Sequence, residues 1–338
     1  MSLGCSHKYP LVSVAVATYN GSRFIRQQLD SIYAQTWSNI EVIASDDCSS
    51  DNTSDILEEY RQRYGLRYEI NEQNLGLIRN FEKVLSSCRG EFIVLSDQDD
   101  VWKPVKLEKI VSIFNAMPEI GYVFSDAELV DDNLCSLGGT LWKSVGFQGK
   151  LRHSFTSGNQ LVSLLRQRFV TGATMAFRRS LLPALLPFPT GTIWLHDGWI
   201  AIVATSLGCY GMPIEETLIM YRQHAAQQVG APVQRKVCIV ERYNNFRNNR
   251  NKSAAQFEKM ARSYDYLYKH IFAVASKKGM VFSEVFNVLQ EASIHFYRRS
   301  TIYKCNRLKK YTLVIIEILS GRYVRFSNSF KSILTDIV

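Results

Sequence analysis

Apolar positions along the first 126 residues follow two alternating patterns. Continuous apolar runs within residues 11–19, 40–47 and 91–96 are typical of strands that are buried on both faces. Between these runs, apolar residues recur at helical spacing, as in residues 22–35 and 76–88, which predicts amphipathic helices. Strands that alternate with helices indicate a parallel sheet with right-handed crossovers. The pattern therefore predicts an α/β fold with a mostly parallel central sheet flanked by helices.

The chain changes character near residue 233. Residues 140–230 carry irregular patterns, whereas residues 233–338 have helical patterns and are rich in Asn, Arg and Tyr. We therefore predict an α/β domain over residues 1–232 and a helical C-terminal region over residues 233–338. Further predicted elements are helices at 50–64 and 103–117 and strands at 66–71, 120–131, 170–177 and 216–224.

Polar residues cluster where three of the predicted strands end. The carboxyl ends of parallel strands meet at one edge of a sheet, where ligands bind. Each cluster alone could serve as a turn or a helix cap, but three successive clusters indicate a ligand site. Crowded carboxylates repel one another, and Mg²⁺ or Mn²⁺ bound together with phosphate oxygens would relieve that repulsion. The clusters are Thr18-Tyr19-Asn20, Asp46-Asp47, and Asp97, Asp99 and Asp100.

Five segments together resemble the family 2 glycosyltransferases, which have the GT-A fold. The resemblance covers about residues 10–225, and the segments have the order and spacing of that family. The forms LSDQDDVWKP, HDGW and YRQH are similar to the rhamnosyltransferase-like branch of bacterial surface polysaccharide synthesis. The segments are VSVAVATYNGSRFIRQQLDSIYAQT, SDDCSSDNT, NLGLIRNFEKVL, SDQDDVW and HDGW.

The resemblance implies a metal-dependent, inverting sugar transfer. The donor would be a nucleotide-diphosphate sugar, either dTDP-rhamnose or a UDP-sugar. The acceptor would be a saccharide or a lipid-linked oligosaccharide in O-antigen or capsule synthesis. The implied cofactor is a divalent metal, Mn²⁺ or Mg²⁺.

The resemblance also assigns roles to individual residues. Asp99 in the motif Asp97-Gln98-Asp99 would bind the metal, and His224 would either join it or be structural. Either carboxylate of the second cluster would accept a hydrogen bond from a pyrimidine N3–H group. The residues implied to bind the nucleotide sugar are Thr18, Tyr19, Asn20, Asp46, Asp47, Asp97 and Gly172.

Asp197 is the implied catalytic base, since it would be ionised at neutral pH and could take the proton of the acceptor hydroxyl. The alternative is that Asp197 only caps a helix. The family usually has Glu-Asp at this position, and here it is His196-Asp197, so His196 could contact the acceptor or support the scaffold. Trp102 and Trp199 could stack on sugars or pack in the core.

Charge separates the C-terminal region from the rest of the chain. Residues 235–338 hold 20 Lys and Arg against 7 Asp and Glu, a net charge of +13. Such basic helices with aromatic residues could lie on an anionic membrane or pack on the catalytic domain as a bundle. Nucleic acid is not an expected partner, because no nucleic-acid-binding motif is present.

Two features indicate the compartment. No apolar leader precedes the first strand, and the late apolar run at residues 313–319 is too short to span a bilayer. The seven cysteines are scattered and form no CxxC pair, which is typical of a reduced compartment. We expect a cytoplasmic protein, peripheral on the inner face of the bacterial plasma membrane.

Two other classes of function compete with sugar transfer. A nucleotidyl or pyrophosphate-handling transferase would usually carry a glycine-rich loop after the first strand, and TYNGSRF lacks one. A non-catalytic scaffold that binds polysaccharide or membrane would not need the carboxylates Asp97, Asp99 and Asp197.

Overall fold

The computed structural model describes residues 9–225, 227, 250–277, 279, 282–327 and 329–337. By internal contacts the chain divides into two units. The first comprises Met1–Arg152, Phe169–Phe188 and Leu195–Pro232, and the second comprises His153–Arg168, Pro189–Trp194 and Val233–Val338. The predicted domain boundary between residues 232 and 233 lies outside the described residues and stays a prediction.

The first unit is built on four parallel strands in the order β3-β2-β1-β4. All seven residues of β1 are buried, as its apolar run predicts, and its alternate side chains pack with the apolar face of α1. The elements are β1 (Val12–Thr18), α1 (Ile25–Tyr33), β2 (Ile40–Asp46), α2 (Thr53–Tyr64), β3 (Arg67–Ile70), α3 (Leu77–Ser86) and β4 (Phe92–Ser96).

Beyond β4 the sheet continues with strands of mixed direction, in the order β4-β8-β6-β9-β5, and β7 pairs with β6. Strand β8 is antiparallel to both neighbours, whereas β6 and β9 are parallel. The elements are β5 (Val101–Trp102), α4 (Lys106–Ala116), β6 (Ile120–Val130), β7 (Ser136–Thr140), α5 (Leu141–Val145), α6 (Gly149–Thr156), α7 (Gln160–Arg166), β8 (Met175–Arg178), α8 (Leu182–Leu185), α9 (His196–Ser206) and β9 (Tyr210–Arg222).

Two of the later strand predictions need correction. The segment predicted as a strand at 170–177 begins with the 3-10 turn Gly172–Thr174, and only Met175–Arg178 is a strand. The strand predicted at 216–224 begins earlier, at Tyr210, because its first half pairs with β6 through shifts of register. These shifts break the period-two pattern that reveals a strand in a sequence.

The described part of the C-terminal region is helical, as predicted. No helix among the described residues has both the length and the apolarity that crossing a bilayer requires. Apolar side chains of three helices and Tyr323 of a fourth meet in a small inner cluster around Ile302 and Val314. The helices are α10 (Arg250–Lys277), α11 (Ser283–Lys304), α12 (Arg307–Leu319), α13 (Arg322–Phe326) and α14 (Ser329–Ile337).

Candidate active site

The carboxyl ends of β1, β2 and β4 meet at one edge of the sheet, as their parallel register requires. There the Thr18 hydroxyl donates to Asp46 Oδ1 at 2.7 Å. Asp46 also accepts hydrogen bonds from the backbone and hydroxyl of Ser49, and its side chain is fully buried. Asp46 therefore ties the two strand ends together.

Asp47 is held at the mouth of this edge by three donors. The backbone N–H groups of Leu75 and Gly76 donate at 2.7 and 2.8 Å, and the Asn71 amide donates at 2.9 Å. A carboxylate has about four acceptor positions, so one remains. Asp47 lines the pocket described next, and Asp46 does not.

A pocket of about 500 Å³ opens at this edge, a volume in the usual range for small-molecule sites. It gathers most of the residues that the sequence singled out, from six separate stretches of the chain. Tyr19 is 39% exposed at its wall, where a planar base could stack. The predicted residues that line it are Thr18, Tyr19, Asn20, Asp47, Asp97, Asp99, Gly172, His196, Asp197 and His224.

Asp99 and His224 are 125 positions apart in the chain and meet in this pocket. His224 Nε2 lies 2.8 Å from Asp99 Oδ2, and both side chains are largely buried. Adjacent donor atoms around an octahedral Mg²⁺ at 2.0–2.1 Å are roughly 2.9 Å apart, so this spacing suits a divalent cation. Within the described ranges no group of three or more His, Cys, Asp or Glu could hold a metal alone. The pair therefore fits a cation whose remaining ligands come from substrate and water.

Burial and repulsion between like charges raise the pKa of the carboxylates beside that pair. Burial, together with the nearby Asp99 and Asp197 carboxylates, raises the pKa of Asp97 to about 7. Burial also raises the pKa of Asp100 well above its usual value and lowers that of Lys106 well below its own. A cation bound among these groups would offset the repulsion.

Asp197 also lines the pocket and lies in the first turn of α9. Its Oδ2 accepts the Gly172 N–H at 3.0 Å and its Oδ1 accepts the Gly198 N–H at 2.6 Å. The N-cap of the helix is Leu195, so Asp197 is not its cap. Each oxygen keeps a second acceptor position toward the pocket.

A match to a family model decides which family this is. The model described as glycosyl transferase family 2 matches residues 13–186, more than half of the chain. The chain belongs to glycosyl transferase family 2. Among curated relatives, an uncharacterized glycosyltransferase of Nostoc sp. is 30% identical over 224 residues, which cover 64% of this chain and 65% of that protein. An uncharacterized Mycobacterium bovis protein is 29% identical over 218 residues, which cover 63% of this chain and 59% of that protein.

Solved structures show that the glycosyltransferase has the GT-A fold, as predicted. TarS of S. aureus in complex with UDP-GlcNAc is 18% identical and has a TM-score of 0.53, covering 96% of this chain and 88% of that one. A mannosyltransferase from Pyrobaculum calidifontis in complex with GDP-Man and Mn²⁺ is 18% identical and has a TM-score of 0.51, covering 92% and 76%.

Two tryptophans predicted as acceptor contacts of this glycosyltransferase lie elsewhere. Trp199 is completely buried, and its indole N–H donates to the Leu185 carbonyl at 3.0 Å. Trp102 is 3% exposed, with the Lys106 ammonium 3.5 Å from its ring centre. Neither lines the pocket, so the stacking role is corrected to packing in the core.

His196, in contrast, faces the pocket of the glycosyltransferase. Its ring stacks on Phe81 with centroids 3.9 Å apart, and burial lowers its pKa, so the imidazole is neutral. Neither ring nitrogen has a hydrogen-bond partner within the described part of the chain. A Cβ atom at Gly172 would lie 2.6 Å from His196 Nε2, so glycine at this position makes room for the imidazole.

Two polar residues that sequence reasoning missed hold the Asp97-Gln98-Asp99 loop in place. The Gln98 amide spans the loop to Tyr19, accepting its N–H at 2.8 Å and donating to its carbonyl at 3.0 Å. The fully buried Arg222 donates to the Asp99 carbonyl at 2.7 Å and to Gln27 at 2.6 Å. The signal was available, because a charged Arg222 at the end of an apolar strand needs buried acceptors.

Proposed function

We propose that this glycosyltransferase moves a sugar, with inversion, from a nucleotide-diphosphate sugar to a saccharide or lipid-linked saccharide. The observation that carries the proposal is the composition of one pocket. Asp99 and His224 meet at 2.8 Å, and Asp197 lines the same pocket. A diphosphate that leaves needs positive charge, and an attacking hydroxyl needs a base, so the two groups serve opposite ends of one displacement.

The donor nucleotide lies along the ends of β1 and β2 in this proposal. Tyr19 stacks on the base, and the open acceptor position of Asp47 receives an N–H group of the base. Asp47 takes this role rather than Asp46, which is buried behind Thr18. The main chain of Thr18 and Asn20 lies beside the ribose, with Asp97 facing the ribose or the sugar.

A divalent cation, Mn²⁺ or Mg²⁺, held by Asp99 and His224 would supply Lewis-acid neutralisation of the diphosphate when bound. Arg222 and Gln98 fix the loop that carries Asp99, so little reorganisation is needed on binding.

Asp197 acts on the acceptor. Its carboxylate takes the hydroxyl proton while the acceptor oxygen forms a bond to the anomeric carbon. The bond from that carbon to the phosphate oxygen breaks, and its electron pair leaves with the nucleoside diphosphate. Attack opposite to the leaving group inverts the anomeric configuration in one step. The neutral His196, stacked on Phe81, offers a ring nitrogen to a second acceptor hydroxyl.

The finer assignment concerns pathway and place. The resemblance of LSDQDDVWKP, HDGW and YRQH supports dTDP-rhamnose or a UDP-sugar as donor, in O-antigen or capsule synthesis. The charge of +13 over residues 235–338 supports work at the anionic inner face of the plasma membrane.

A screen of sugar nucleotides with Mn²⁺ tests the proposal. The purified chain is incubated with dTDP-rhamnose, UDP-sugars and GDP-mannose, and products are separated by chromatography. We expect slow release of the nucleoside diphosphate and free sugar from one donor, abolished by EDTA. Release of nucleoside monophosphate and sugar 1-phosphate, from cleavage within the diphosphate, would identify a nucleotidyl or pyrophosphate-handling transferase instead.

A further inference from the structure

Helix α12 is reversed in polarity compared with an ordinary surface helix. Two of its four charged residues, Lys310 and Glu317, are 5% and 0% exposed, whereas Leu308 and Leu319 are 81% and 82% exposed. The exposed apolar positions recur at a spacing of three and four, so they form a continuous stripe along one face. The stripe consists of Leu308, Tyr311, Ile315, Ile318 and Leu319.

Helix α14 repeats the arrangement. Its exposed apolar residues Phe330, Leu334 and Ile337 also share one helix face, and Phe330 is 71% exposed. Its carboxylate, Asp336, is 1% exposed and lies on the inner side. Helices α12 and α14 pack on each other and on α11.

Buried ion pairs fix both helices in this orientation. Glu317 accepts hydrogen bonds from Arg298 and Arg322 at 2.8 and 2.9 Å and lies 2.6 Å from His295 Nδ1. Asp336 accepts hydrogen bonds from Nε and Nη2 of the Arg299 guanidinium at 2.7 and 2.8 Å. Rotating either helix to hide its apolar stripe would separate its buried carboxylate from these cationic partners. The apolar stripes therefore stay on the outside.

The charge around the stripes is of one sign. Residues 307–337 contain six Lys and Arg and two carboxylates, and both carboxylates are the buried ones. Arg307, Lys309 and Lys331 are exposed beside the stripes. A second copy would bring these cations against one another, whereas anionic lipid headgroups would attract them.

We propose that the outer faces of α12 and α14 are a membrane-binding surface, with the apolar stripes inserted at the level of the headgroups and the cations on anionic lipid. This deepens the proposed function, on which it rests, by naming the residues that bring the enzyme to a lipid-linked acceptor. The helices lie in the interface rather than cross it, since no described helix could span a bilayer.

Flotation with vesicles tests the surface on the full chain. The vesicles are phosphatidylcholine alone or phosphatidylcholine mixed with phosphatidylglycerol. We expect binding to the mixed vesicles that weakens as salt is raised. Leu308→Ser with Leu319→Ser should lower binding by about tenfold or more, because exposed leucines lose their apolar contact. Lys309→Gln with Lys331→Gln should lower it by about fivefold per cation.

Matched controls come from helices α10 and α11. Phe272→Ser with Tyr297→Ser removes apolar groups that are 55% and 63% exposed, and Lys269→Gln with Lys277→Gln removes exposed cations. These variants should bind like the parent. The proposed membrane-binding surface would be wrong if the α12 variants and the controls bound vesicles equally well. It would also be wrong if binding to neutral and anionic vesicles were the same. A concentration-dependent dimer, seen by sedimentation and dissociated by Leu308→Ser with Leu319→Ser, would contradict it as well.

Nucleotide binding distinguishes the two proposals. Calorimetry with UDP and dTDP in Mn²⁺, without vesicles, should give the same affinity for the parent and for every surface variant. Loss of vesicle binding with nucleotide affinity intact therefore concerns the surface alone. A parent that binds vesicles but no nucleotide would contradict the proposed function and leave the membrane surface standing.

Discussion

At the scale of single residues, the chemistry depends on how each carboxylate is held. Asp46 and Asp47 are adjacent, yet their roles differ. Asp46 is buried and links the ends of β1 and β2, whereas Asp47 lines the pocket. Asp197 has an N–H donor on each oxygen, which fixes its orientation without filling its acceptor positions. Such positioning allows an ordinary carboxylate to serve as a base.

Replacing Asp197 by asparagine tests the base directly. Asp197→Asn keeps the shape of the side chain and removes the proton acceptor, so transfer should fall by roughly 10²–10⁴. Nucleotide affinity and unfolding temperature should change little. Single-turnover assays with the donor found by the screen, together with calorimetry, measure both.

Asp126→Asn is the matched control for that variant. Asp126 accepts the backbone N–H groups of Ala127 and Trp142 and does not line the pocket. It should cost stability but leave the turnover of folded enzyme unchanged. If Asp126→Asn abolished turnover while Asp197→Asn retained it, the base would have been assigned to the wrong residue.

Much of the site could be predicted from residue types, but their pairing could not. Carboxylates after buried strands indicate a cation site, and that signal is local in the sequence. The contact between Asp99 and His224 depends on how β9 returns beside β6 and β5, which no local pattern encodes. For the same reason the sequence could not decide whether Trp102 and Trp199 stack on sugars, since whether a tryptophan faces the core or a pocket is a tertiary property.

At the scale of elements, strand β9 holds the Asp97-Gln98-Asp99 loop in place through Arg222. Its guanidinium reaches the Asp99 carbonyl and Gln27, its backbone N–H donates to Asp100, and its charge lies over the Phe24 ring. One buried side chain thereby joins the end of β9 to the loop after β4. The loop should lose its geometry when this cation is removed.

We therefore predict that Arg222→Gln lowers both stability and metal-dependent nucleotide affinity. Buried carbonyls left without a donor should cost about 3 kcal/mol of unfolding free energy. Urea unfolding measures that cost, and calorimetry with Mn²⁺ measures the affinity. Arg61→Gln is the control, because its ion pair with Glu58 is exposed and should contribute little to stability. Equal effects of the two variants would rule out an anchoring role for Arg222.

Elements with a strong period were predictable, and those defined by their partners were not. Strands β1, β2 and β4 are rich in apolar residues, and most of their residues are buried. Strand β5 has only two residues, and β7 reads SLGGT, so neither shows a period. The stripe on α12 illustrates a different limit, because spacing identifies an apolar face without telling which medium covers it.

At the scale of the whole molecule, the second unit has a polar centre of its own. His295 lies between Glu317 at 2.6 Å and the Ser327 hydroxyl at 2.8 Å, and all three side chains are buried. Burial lowers the pKa of His295, although the hydrogen bond to Glu317 opposes the shift. The folded chain therefore keeps this imidazole neutral below the pH at which the unfolded chain protonates it.

This difference predicts a loss of stability in acid. Below about pH 6.5 the unfolded chain binds a proton at His295 that the folded chain does not, so the free energy of unfolding falls as pH falls. His295→Gln should be less stable at neutral pH and should have a smaller slope below about pH 6.5. Urea unfolding at a series of pH values measures both slopes. The control variant is His270→Gln. It replaces a histidine of α10 whose ring stacks near that of Tyr266. An unchanged slope for His295→Gln would contradict the assignment.

The organisation of the chain was only partly predictable at this scale. The shift to basic helices near residue 233 is visible in composition alone. That His153–Arg168 and Pro189–Trp194 join the second unit is not, because their contacts are with helices a hundred residues away, such as the Tyr264 hydroxyl with the Leu165 carbonyl. Composition reports regions of a sequence, whereas units are defined by contacts.

The central claim is that Asp99 and His224 bind a cation that in turn binds the diphosphate. The most direct test is calorimetric titration of UDP and dTDP into the chain, once with Mn²⁺ and once with EDTA. The account predicts affinity in Mn²⁺ that falls by at least about tenfold in EDTA, the equivalent of 1.4 kcal/mol. Asp99→Asn should remove the difference between the two conditions. Equal affinity of the parent chain in Mn²⁺ and in EDTA would contradict the account.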